Sequence, residues 1–252
     1  MTVLSININK VALIRNSREG NFPDVLQYTQ DCIAAGAEGI TAHPRPDQRH
    51  ITAEDCRDIA KAISLEFNIE GNPFAKAMKS THPDIGDYPG FMALIEEVKP
   101  AQCTLVPDSN AQLTSDHGFD LHTQYDEVKD IVTQLSTWGI RSSLFLDPKL
   151  DQIELAAKLG ADRIELYTGP YAAQMKLGDK QSVDAYAKAA AFAKECGLGV
   201  NAGHDLNLDN LEHFARHVQP LDEVSIGHAF TVDCLYQGLR PTMAAYLDAL
   251  AI

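Results

Sequence analysis

Paired cysteines are missing from this sequence. Its five cysteines are odd in number and widely scattered, and no Cys-x-x-Cys pair occurs, which argues against a zinc ribbon and a thioredoxin-type redox site. This usage is typical of reduced thiols in a cytoplasmic protein. A chain of 252 residues is long enough to bury a hydrophobic core, so neither disulfides nor a structural metal is needed for stability.

Basic residues are also scarce. Lysine and arginine together number 21, against 35 aspartates and glutamates, and the formal net charge is -14. Nucleic acids and anionic membranes both bind basic surfaces, so this balance argues against either as a partner. Any site for an anionic ligand must therefore be formed by a few positively charged side chains at one place on the protein.

Long hydrophobic runs are absent. The opening residues, MTVLSININK, lack the apolar run of a signal peptide, and no stretch approaches the length of a membrane span. We therefore expect a cytoplasmic protein with no membrane partner. No low-complexity linker divides the chain, so the sequence predicts a single domain over residues 1–252.

Eight short β-branched runs alternate with longer segments of helical periodicity. The runs that we predict as strands are 3–8, 38–42, 65–69, 102–106, 142–146, 163–167, 198–202 and 223–227. Eight repeats in a chain of this length are typical of a closed (β/α)8 TIM barrel. The rival is a doubly wound open sheet, but no Gly-x-Gly-x-x-Gly follows the first strand. Helical stretches at 229–238 and 240–250 predict extra helices after the last strand.

Two further local features follow from the pattern. Helix N-caps are predicted where a capping residue precedes a helical segment, at Asp24, Thr52, Asp151 and Asn207. The connection from Gly71 to Pro100 is rich in proline and glycine and longer than a turn, which predicts a lid or an interface loop.

Polar residues follow the predicted strands at their carboxyl ends. In a closed barrel these ends and the loops after them form the functional face. The residues at this face include Asn7, Asn9, Lys10, His43, Arg45, His50, Glu70, Asp108, Thr114, Asp147, Thr168, His204, Asp205, Gly227 and His228. Such clustering at one end of the barrel predicts a functional site there.

Glu70 is the candidate base, because a carboxylate at a strand end should point into the mouth of the barrel. Partly desolvated, it could accept protons near neutral pH. The alternative is an ion-pair partner for Arg45 or Lys10.

The competing hypothesis for this face is a site for a divalent metal ion. Its possible ligands are His43, Glu70, His204 and His228. No His-x-His ends the first strand, and no carboxylate pair has ligand spacing. The sequence therefore predicts no metal.

Two stretches predict phosphate sites. In TAHPRPDQRH (41–50), Arg45, Arg49 and His50 lie in a loop extended by prolines, and a guanidinium presents a planar fork to two phosphate oxygens. The alternative is a surface ion-pair cluster with Asp47. In SIGHAFT (225–231), a glycine precedes a helix N-terminus after the last strand, where barrels often bind phosphate. Two anion sites at one mouth predict phosphates at both ends of the substrate or substrates.

Six stretches resemble motifs of the pyridoxine 5'-phosphate synthase family: NIN…LIRNSR, GITAHPRPDQRHIT, FNIEG, LVPD with a following LT, VNAGHDL and IGHAF. They occur in the family's order and span residues 7 to 229. The resemblance implies a (β/α)8 barrel without metal or organic cofactor. It also implies the condensation of 1-deoxy-D-xylulose 5-phosphate with 3-amino-2-oxopropyl phosphate to pyridoxine 5'-phosphate, phosphate and water.

The resemblance also implies residue roles. His43 and Glu70 would accept protons and His204 would donate one. The amino-ketone phosphate would be held by Asn7, Arg18, Asp205, Gly227 and His228. The pentulose phosphate would be held by Arg45, His50 and Thr114. Family members form symmetric homo-oligomers, so self-association is expected, with an octamer as one expectation and Arg18 reaching a neighbouring subunit's site.

The chain departs from the family at three places. Asn9-Lys10, which belong to the predicted substrate-binding set, stand where Asp-His is common, and Lys10 still offers a phosphate a point charge. Asp205 stands where glycine is common, and the 71–100 segment is longer than usual. Two other functions remain open: an aldolase with Lys10 as a Schiff-base amine, and a barrel that binds phosphorylated metabolites without catalysis.

Overall fold

Eight parallel strands close into one barrel in the computed structural model, which describes residues 1–109, 112 and 114–251. The strands are β1 (Val3–Asn7), β2 (Gly39–Ala42), β3 (Glu66–Gly71), β4 (Gln102–Leu105), β5 (Arg141–Leu146), β6 (Arg163–Leu166), β7 (Gly199–Ala202) and β8 (Glu223–Ile226). Each strand pairs with the next, and β8 pairs with β1. The predicted (β/α)8 barrel is confirmed.

Helices surround the barrel on the outside of the strands. They are α1 (Asn9–Arg15), α2 (Val25–Ala35), α3 (Ala53–Ala62), α4 (Phe91–Val98), α5 (Leu121–Thr137), α6 (Leu150–Leu159), α7 (Gly169–Lys176), α8 (Asp184–Glu195), α9 (Leu211–His217), α10 (His228–Gln237) and α11 (Leu239–Leu250). The pair α10 and α11 confirms the extra helices predicted after the last strand. In the described part of the chain, no helix combines the length and apolar character needed to cross a membrane.

The predicted strands match the observed ones to within two residues at each end. The largest difference is in β3, which runs on to Gly71 instead of ending at 69. Glu70 therefore lies within the strand, in register with Thr104 of β4, and not in the loop after it. Pairing with β4 holds the backbone of Glu70 in the sheet, so its position is set by the barrel itself.

Two of the four predicted helix caps are confirmed. The Asp24 side chain accepts a hydrogen bond from the Gln27 amide at the start of α2. Thr52 begins α3 with a reciprocal capping box, in which Asp55 accepts from the Thr52 amide. Replacement of such a cap by alanine typically costs about 1 kcal/mol.

The other two predicted caps are wrong. Lys149 precedes α6, and Asp151 lies in the first turn, where its charge is favourable near the helix N-terminus. Asn210 precedes α9, three residues after Asn207. Asn207 instead begins a turn in which its carbonyl accepts from the Asn210 amide. A turn and a cap use the same residue types, which is why the sequence pattern does not separate them.

The long 71–100 segment packs against the loop that follows β2. It contains an isolated antiparallel bridge between Met78 and Tyr88, and it ends with α4. The buried Tyr88 hydroxyl donates to the Pro44 carbonyl at 3.4 Å, and the Gln48 amide group donates to the Gly86 carbonyl at 2.8 Å. The segment therefore supports the arginine-containing loop from outside.

The barrel interior is polar, whereas the layer between strands and helices is apolar. In β1, Leu4 and Ile6 pack in the apolar core, while the alternate residue Ser5 bonds to Thr41. Gln102 of β4 donates to Glu223 of β8 at 3.2 Å, and since these strands are not neighbours, this bond crosses the interior. The same alternation directs Asn7 and Glu70 inward at the upper end.

Gly203 joins β7 to the residue His204, and a side chain has no space there. A Cβ added at Gly203 would collide with the carbonyl group of Ser225 in the neighbouring chain segment. We expect Gly203→Ala to destabilise the fold by about 1–3 kcal/mol, because backbone must move to make room. Urea denaturation checks this. Gly86→Ala is the control, since nothing lies within 4 Å of the added Cβ, and equal loss in both variants would contradict the prediction.

Candidate active site

A cavity of about 460 Å³ opens at the carboxyl ends of the strands. All eight strands or the loops after them contribute to its walls. The lining residues include Asn7, Asn9, Lys10, His43, Arg45, His50, Glu70, Thr114, Ser115, Phe145, Glu165, Lys176, His204, Asp205, Ser225, Gly227 and His228. The structure thus brings together Asn9, Lys10 and every residue that the family resemblance assigns a role, except Arg18. The cavity lining does not include four other residues that were predicted at this face, Arg49, Asp108, Asp147 and Thr168.

Arg18 lies outside this cavity. It follows the end of α1, is exposed to solvent, and is absent from the cavity lining of its own chain. The structure therefore does not place Arg18 at the cavity of its own chain, and the contact with a neighbouring subunit's site stays a prediction.

Asn9 connects the end of β1 to the loop after β2. Its side-chain oxygen accepts from the His43 amide at 2.9 Å, and its Nδ2 donates to the His43 carbonyl at 3.3 Å. Its own amide donates to the Asn7 side chain at 3.1 Å. A carboxylate at this position could accept but not donate. Asn9 thus suits the site because its amide clamps the backbone of His43 from both sides.

The His43 imidazole is buried between two carboxyl groups. Nδ1 lies 3.7 Å from Oε2 of Glu70, and Nε2 lies 3.9 Å from Oδ2 of Asp108. Burial, together with the positive charges of Arg45 and its neighbours, holds the pKa of His43 well below its ordinary value. The ring is therefore neutral near pH 7 and has a free electron pair to accept a proton.

Glu70 lies beside His43 on the cavity floor. Burial raises its pKa well above the ordinary value, and the nearby acids Glu165, Glu223 and Asp108 add to the effect. Asn7 donates to its Oε2 at 3.4 Å. Once ionised, such a carboxyl is a stronger base than one in water, which suits proton transfer near neutral pH.

Glu165 is a site residue that the sequence reasoning missed. It lies in the middle of β6 and points to the floor of the cavity. Burial, with the charge of Glu223, raises its pKa to about 8. One feature of the sequence could have identified Glu165: it is a single acidic residue between Ile164 and Leu166 in a strand that was expected to be buried. A charge there is costly unless it faces a polar interior.

Asp108 follows β4 and forms an ion pair with Arg45 in the loop after β2. Its Oδ2 accepts from Arg45 at 2.6 Å and from the Ser115 hydroxyl at 2.8 Å. The alternative of a surface ion pair with Asp47 applies to Arg49, whose NH1 lies 3.0 Å from the Asp47 carboxylate. Arg45 is thus held rigidly and faces the cavity, which orders it for a ligand.

Lys10 and His50 lie on the same wall as Arg45. Burial lowers the pKa of Lys10, and the charges of Arg49 and Arg45 lower it further. Burial also lowers the pKa of His50 to about 4, again with help from Lys10 and the arginines. The positive charge of this wall therefore comes mainly from the arginines, because an imidazole with a pKa of about 4 is neutral near pH 7.

His204 stands on the opposite wall, after β7. Its Nε2 lies 2.8 Å from the Thr114 hydroxyl, and its Nδ1 lies 3.2 Å from Oδ2 of Asp205. The Tyr167 ring meets it edge-on with centroids 5.3 Å apart. The Thr168 hydroxyl donates to the His204 carbonyl. Ring and backbone are therefore both held in place.

The N-terminus of α10 opens at the end of β8. The helix begins at His228, directly after Gly227, and both residues line the cavity. Free amide groups and the helix dipole favour an anion at such a position. The second predicted phosphate site therefore has the expected surroundings.

No three His, Cys, Asp or Glu side chains converge as metal ligands would anywhere in residues 1–109, 112 and 114–251. The four side chains of the metal alternative, His43, Glu70, His204 and His228, line one cavity without forming such a group.

A parallel barrel that brings buried acid–base groups, an arginine and a helix N-terminus to one cavity at its strand ends is typical of a class, the barrel enzymes that act on phosphorylated small molecules. The chain matches, over residues 4–251, the profile of the family described as pyridoxal phosphate biosynthesis protein PdxJ. It belongs to that family, and the resemblance inferred from its motifs is confirmed.

Curated relatives agree with this membership over full length. A pyridoxine 5'-phosphate synthase from Porphyromonas gingivalis is 52% identical over 252 residues, with 100% of both chains covered. One from Cytophaga hutchinsonii is 48% identical over 250 residues, covering 99% of each chain.

Solved structures with much lower identity share the fold. N-(5'-phosphoribosyl)anthranilate isomerase from Pyrococcus furiosus has a TM-score of 0.55 at 13% identity, covering 99% of this chain and 98% of its own. Thiamine phosphate pyrophosphorylase from Pyrococcus furiosus has a TM-score of 0.57 at 11% identity, covering 99% and 95%. At such identities the likeness concerns the barrel alone.

Proposed function

We propose that the chain is a pyridoxine 5'-phosphate synthase. It condenses 1-deoxy-D-xylulose 5-phosphate with 3-amino-2-oxopropyl phosphate, and releases pyridoxine 5'-phosphate, phosphate and water. The observation that carries the proposal is full-length membership of a family whose relatives have this name, at about half identity. The cavity supports it, because the three acid–base residues implied by the family line one space.

The proposed proton acceptors are His43 and Glu70. The neutral imidazole has a free electron pair for a proton, and the buried carboxyl, whose pKa is raised, is a stronger base once ionised than a carboxylate in water. Joining an amine to a ketone and closing an aromatic ring requires several proton transfers in one enclosed site. Two groups with opposite pKa shifts, only 3.7 Å apart, suit such a sequence of transfers.

His204 is the proposed proton donor. It faces the same cavity from the opposite wall, with Nε2 directed at the Thr114 hydroxyl at 2.8 Å. A ligand held between the walls would have acceptors on one side and a donor on the other. Loss of water or phosphate needs a proton delivered to the leaving oxygen, which is the role assigned to His204.

The two substrate phosphates are assigned to different residues of the cavity. Arg45, His50 and Thr114 would hold the pentulose phosphate, with Lys10 adding a positive charge. The amino-ketone phosphate would lie at the α10 N-terminus, beside Gly227, His228 and Asn7.

The direct test is product formation from both substrates in the presence of a chelator. We expect pyridoxine 5'-phosphate, measured by its absorbance and chromatography, with one inorganic phosphate per product molecule. Reactions lacking either substrate are the controls. A folded chain that binds one substrate but yields no product would contradict the proposed function, and it would direct attention to Asn9, Lys10 and Asp205.

One observation favours a second candidate, a Schiff-base aldolase. Burial and two arginines lower the pKa of Lys10, which makes its amine more nucleophilic than an ordinary lysine. Borohydride would then trap a covalent adduct on Lys10 in the presence of a phosphorylated ketone. The primary proposal predicts no adduct at this residue.

We also propose self-association and a cytoplasmic location. The five cysteines are free in the structure, and three of them, Cys32, Cys56 and Cys103, are buried, which suits a reducing compartment. A homo-oligomer, with eight subunits as the family expectation, would bring Arg18 to a neighbouring site. Light scattering measures the number of subunits.

A further inference from the structure

Phe145 is a large apolar side chain on the polar side of β5. Its neighbours in the strand, Leu144 and Leu146, pack in the apolar core between the strands and the helices, whereas Phe145 is not part of that core. It lines the cavity instead, and it is only 2% exposed. Because alternate residues of a strand face opposite sides of the sheet, Phe145 belongs to the barrel interior.

The surroundings of Phe145 in the interior are mostly polar. Its partner in register on β6 is Glu165, which lines the same cavity. Among the described residues of the cavity lining, Phe145 is the only phenylalanine, tyrosine or tryptophan, and most of the others have polar side chains. Packing of the apolar core therefore does not account for a phenyl ring at this position, whereas a ligand with a flat apolar face would.

The ring of Phe145 is held by two neighbouring rings. The Tyr167 ring lies with its centroid 5.5 Å away and its plane tilted by 49°, and the His204 ring lies 6.4 Å away with a tilt of 60°. Tilted arrangements at such distances are favourable for aromatic pairs. Phe145 and His204 both line the cavity, so the phenyl ring is placed beside the proposed proton donor.

We propose that Phe145 packs against the nitrogen-containing six-membered ring of the product, and that it makes the site bind ring-closed species more tightly than open-chain substrates. This inference rests on the proposed function, in which two open-chain phosphates become one flat aromatic ring. An aromatic side chain gains free energy from an aromatic partner beyond the area that is buried, and an open-chain ketone offers no such partner. A contact that strengthens as the ring forms favours the ring-closing steps.

Phe145→Leu tests the proposal, because leucine keeps an apolar side chain and removes the ring. In calorimetric titrations, the Kd of pyridoxine 5'-phosphate should rise about 3- to 10-fold, the effect of losing one aromatic pair. The Kd of 1-deoxy-D-xylulose 5-phosphate should stay near the wild-type value. The control is Phe214→Leu, since Phe214 is fully buried against Tyr171 and Tyr186 and lies outside the cavity lining. Both Kd values should be unchanged in this control.

A crystal structure with bound pyridoxine 5'-phosphate gives an independent measurement that needs no variant, in case Phe145→Leu does not fold. We expect the centroids of the pyridine ring and the Phe145 ring to lie about 4.5–7 Å apart. A longer separation would overturn the proposal, and so would a wild-type chain that does not bind pyridoxine 5'-phosphate.

Two results in Phe145→Leu would also overturn the proposal. One is an unchanged Kd for the product, and the other is an equal rise for the product and the open-chain substrate, which would indicate a general loss of packing. A wild-type chain that binds pyridoxine 5'-phosphate but makes none from the two substrates would contradict the proposed function instead. The two Kd values and the ring separation would still decide the role of Phe145.

Discussion

Glu70→Gln is expected to lower kcat by about 100- to 10,000-fold, the range typical of losing a general base. Glutamine keeps the shape of the side chain and an oxygen for the Asn7 amide, which donates to Glu70 at 3.4 Å. It cannot take up or release a proton. Binding of 1-deoxy-D-xylulose 5-phosphate should persist, because the proposed phosphate ligands are untouched. Steady-state kinetics and calorimetric titration measure the two effects.

The same variant should gain stability relative to wild type as pH rises. The pKa of Glu70 is raised in the folded state, so between the ordinary glutamate value and that raised value the folded chain binds more protons than the unfolded chain. Wild-type stability therefore falls through this window, and glutamine removes the dependence. Thermal unfolding from pH 5 to pH 8 should show a difference in Tm that grows in favour of the variant.

Glu54→Gln is the matched control, since Glu54 is an exposed acid on α3 that pairs with Arg57 at 3.0 Å. Its kcat and its pH dependence of Tm should equal those of wild type. Near-normal kcat in Glu70→Gln would contradict the proposed role of Glu70 as a proton acceptor. It would favour the alternative, in which Glu70 is an ion-pair partner for Arg45 or Lys10.

Arg45→Met is expected to have the largest effect on stability, a loss of about 3–5 kcal/mol. The Arg45 and Asp108 side chains are only 7% and 3% exposed and lie 2.6 Å apart. Removing the guanidinium leaves the Asp108 charge buried, with a serine hydroxyl as its close donor. The variant should also bind the pentulose phosphate weakly. Urea denaturation at pH 8 measures the loss.

The double variant Arg45→Met, Asp108→Asn separates the charge from the packing. Neutralising Asp108 should restore most of the stability, because the penalty arises from the unpaired carboxylate. It should not restore phosphate affinity, which needs the guanidinium. Arg216→Met, which breaks an exposed pair on α9, is the control and should cost well under 1 kcal/mol. A single Arg45→Met variant as stable as this control would contradict the argument.

Sequence reasoning located most of the site because a barrel gathers its strand ends. Placing His43 after the second predicted strand and His204 after the seventh was enough to bring them to one face, whatever the details of packing. Glu165 was missed for the opposite reason. It lies inside a strand, where the sequence does not show which way the side chain points. In the closed barrel its carboxyl faces the cavity and the charge of Glu223.

Asp205 shows the same division on a smaller scale. The sequence marks it as an acid where the family commonly has glycine, next to a proposed phosphate site. The structure adds its backbone conformation, a φ of 63° with the Asn207 and Asn210 side chains donating to its carbonyl, which the sequence pattern did not predict.

By itself, the sequence determined the eightfold alternation, the barrel and the family. Hydrophobic periodicity and motifs are read directly from the order of residues in the chain. The hydrophobic effect buries the apolar positions of each segment, so this pattern predicts strands and helices before any tertiary contact is known. Only the tertiary structure decided that Arg45 pairs with Asp108 and that the pKa of His43 is lowered. It also decided that the pKa values of Glu70 and Glu165 are raised. These properties depend on burial and on charges from distant segments, which become neighbours when the barrel closes.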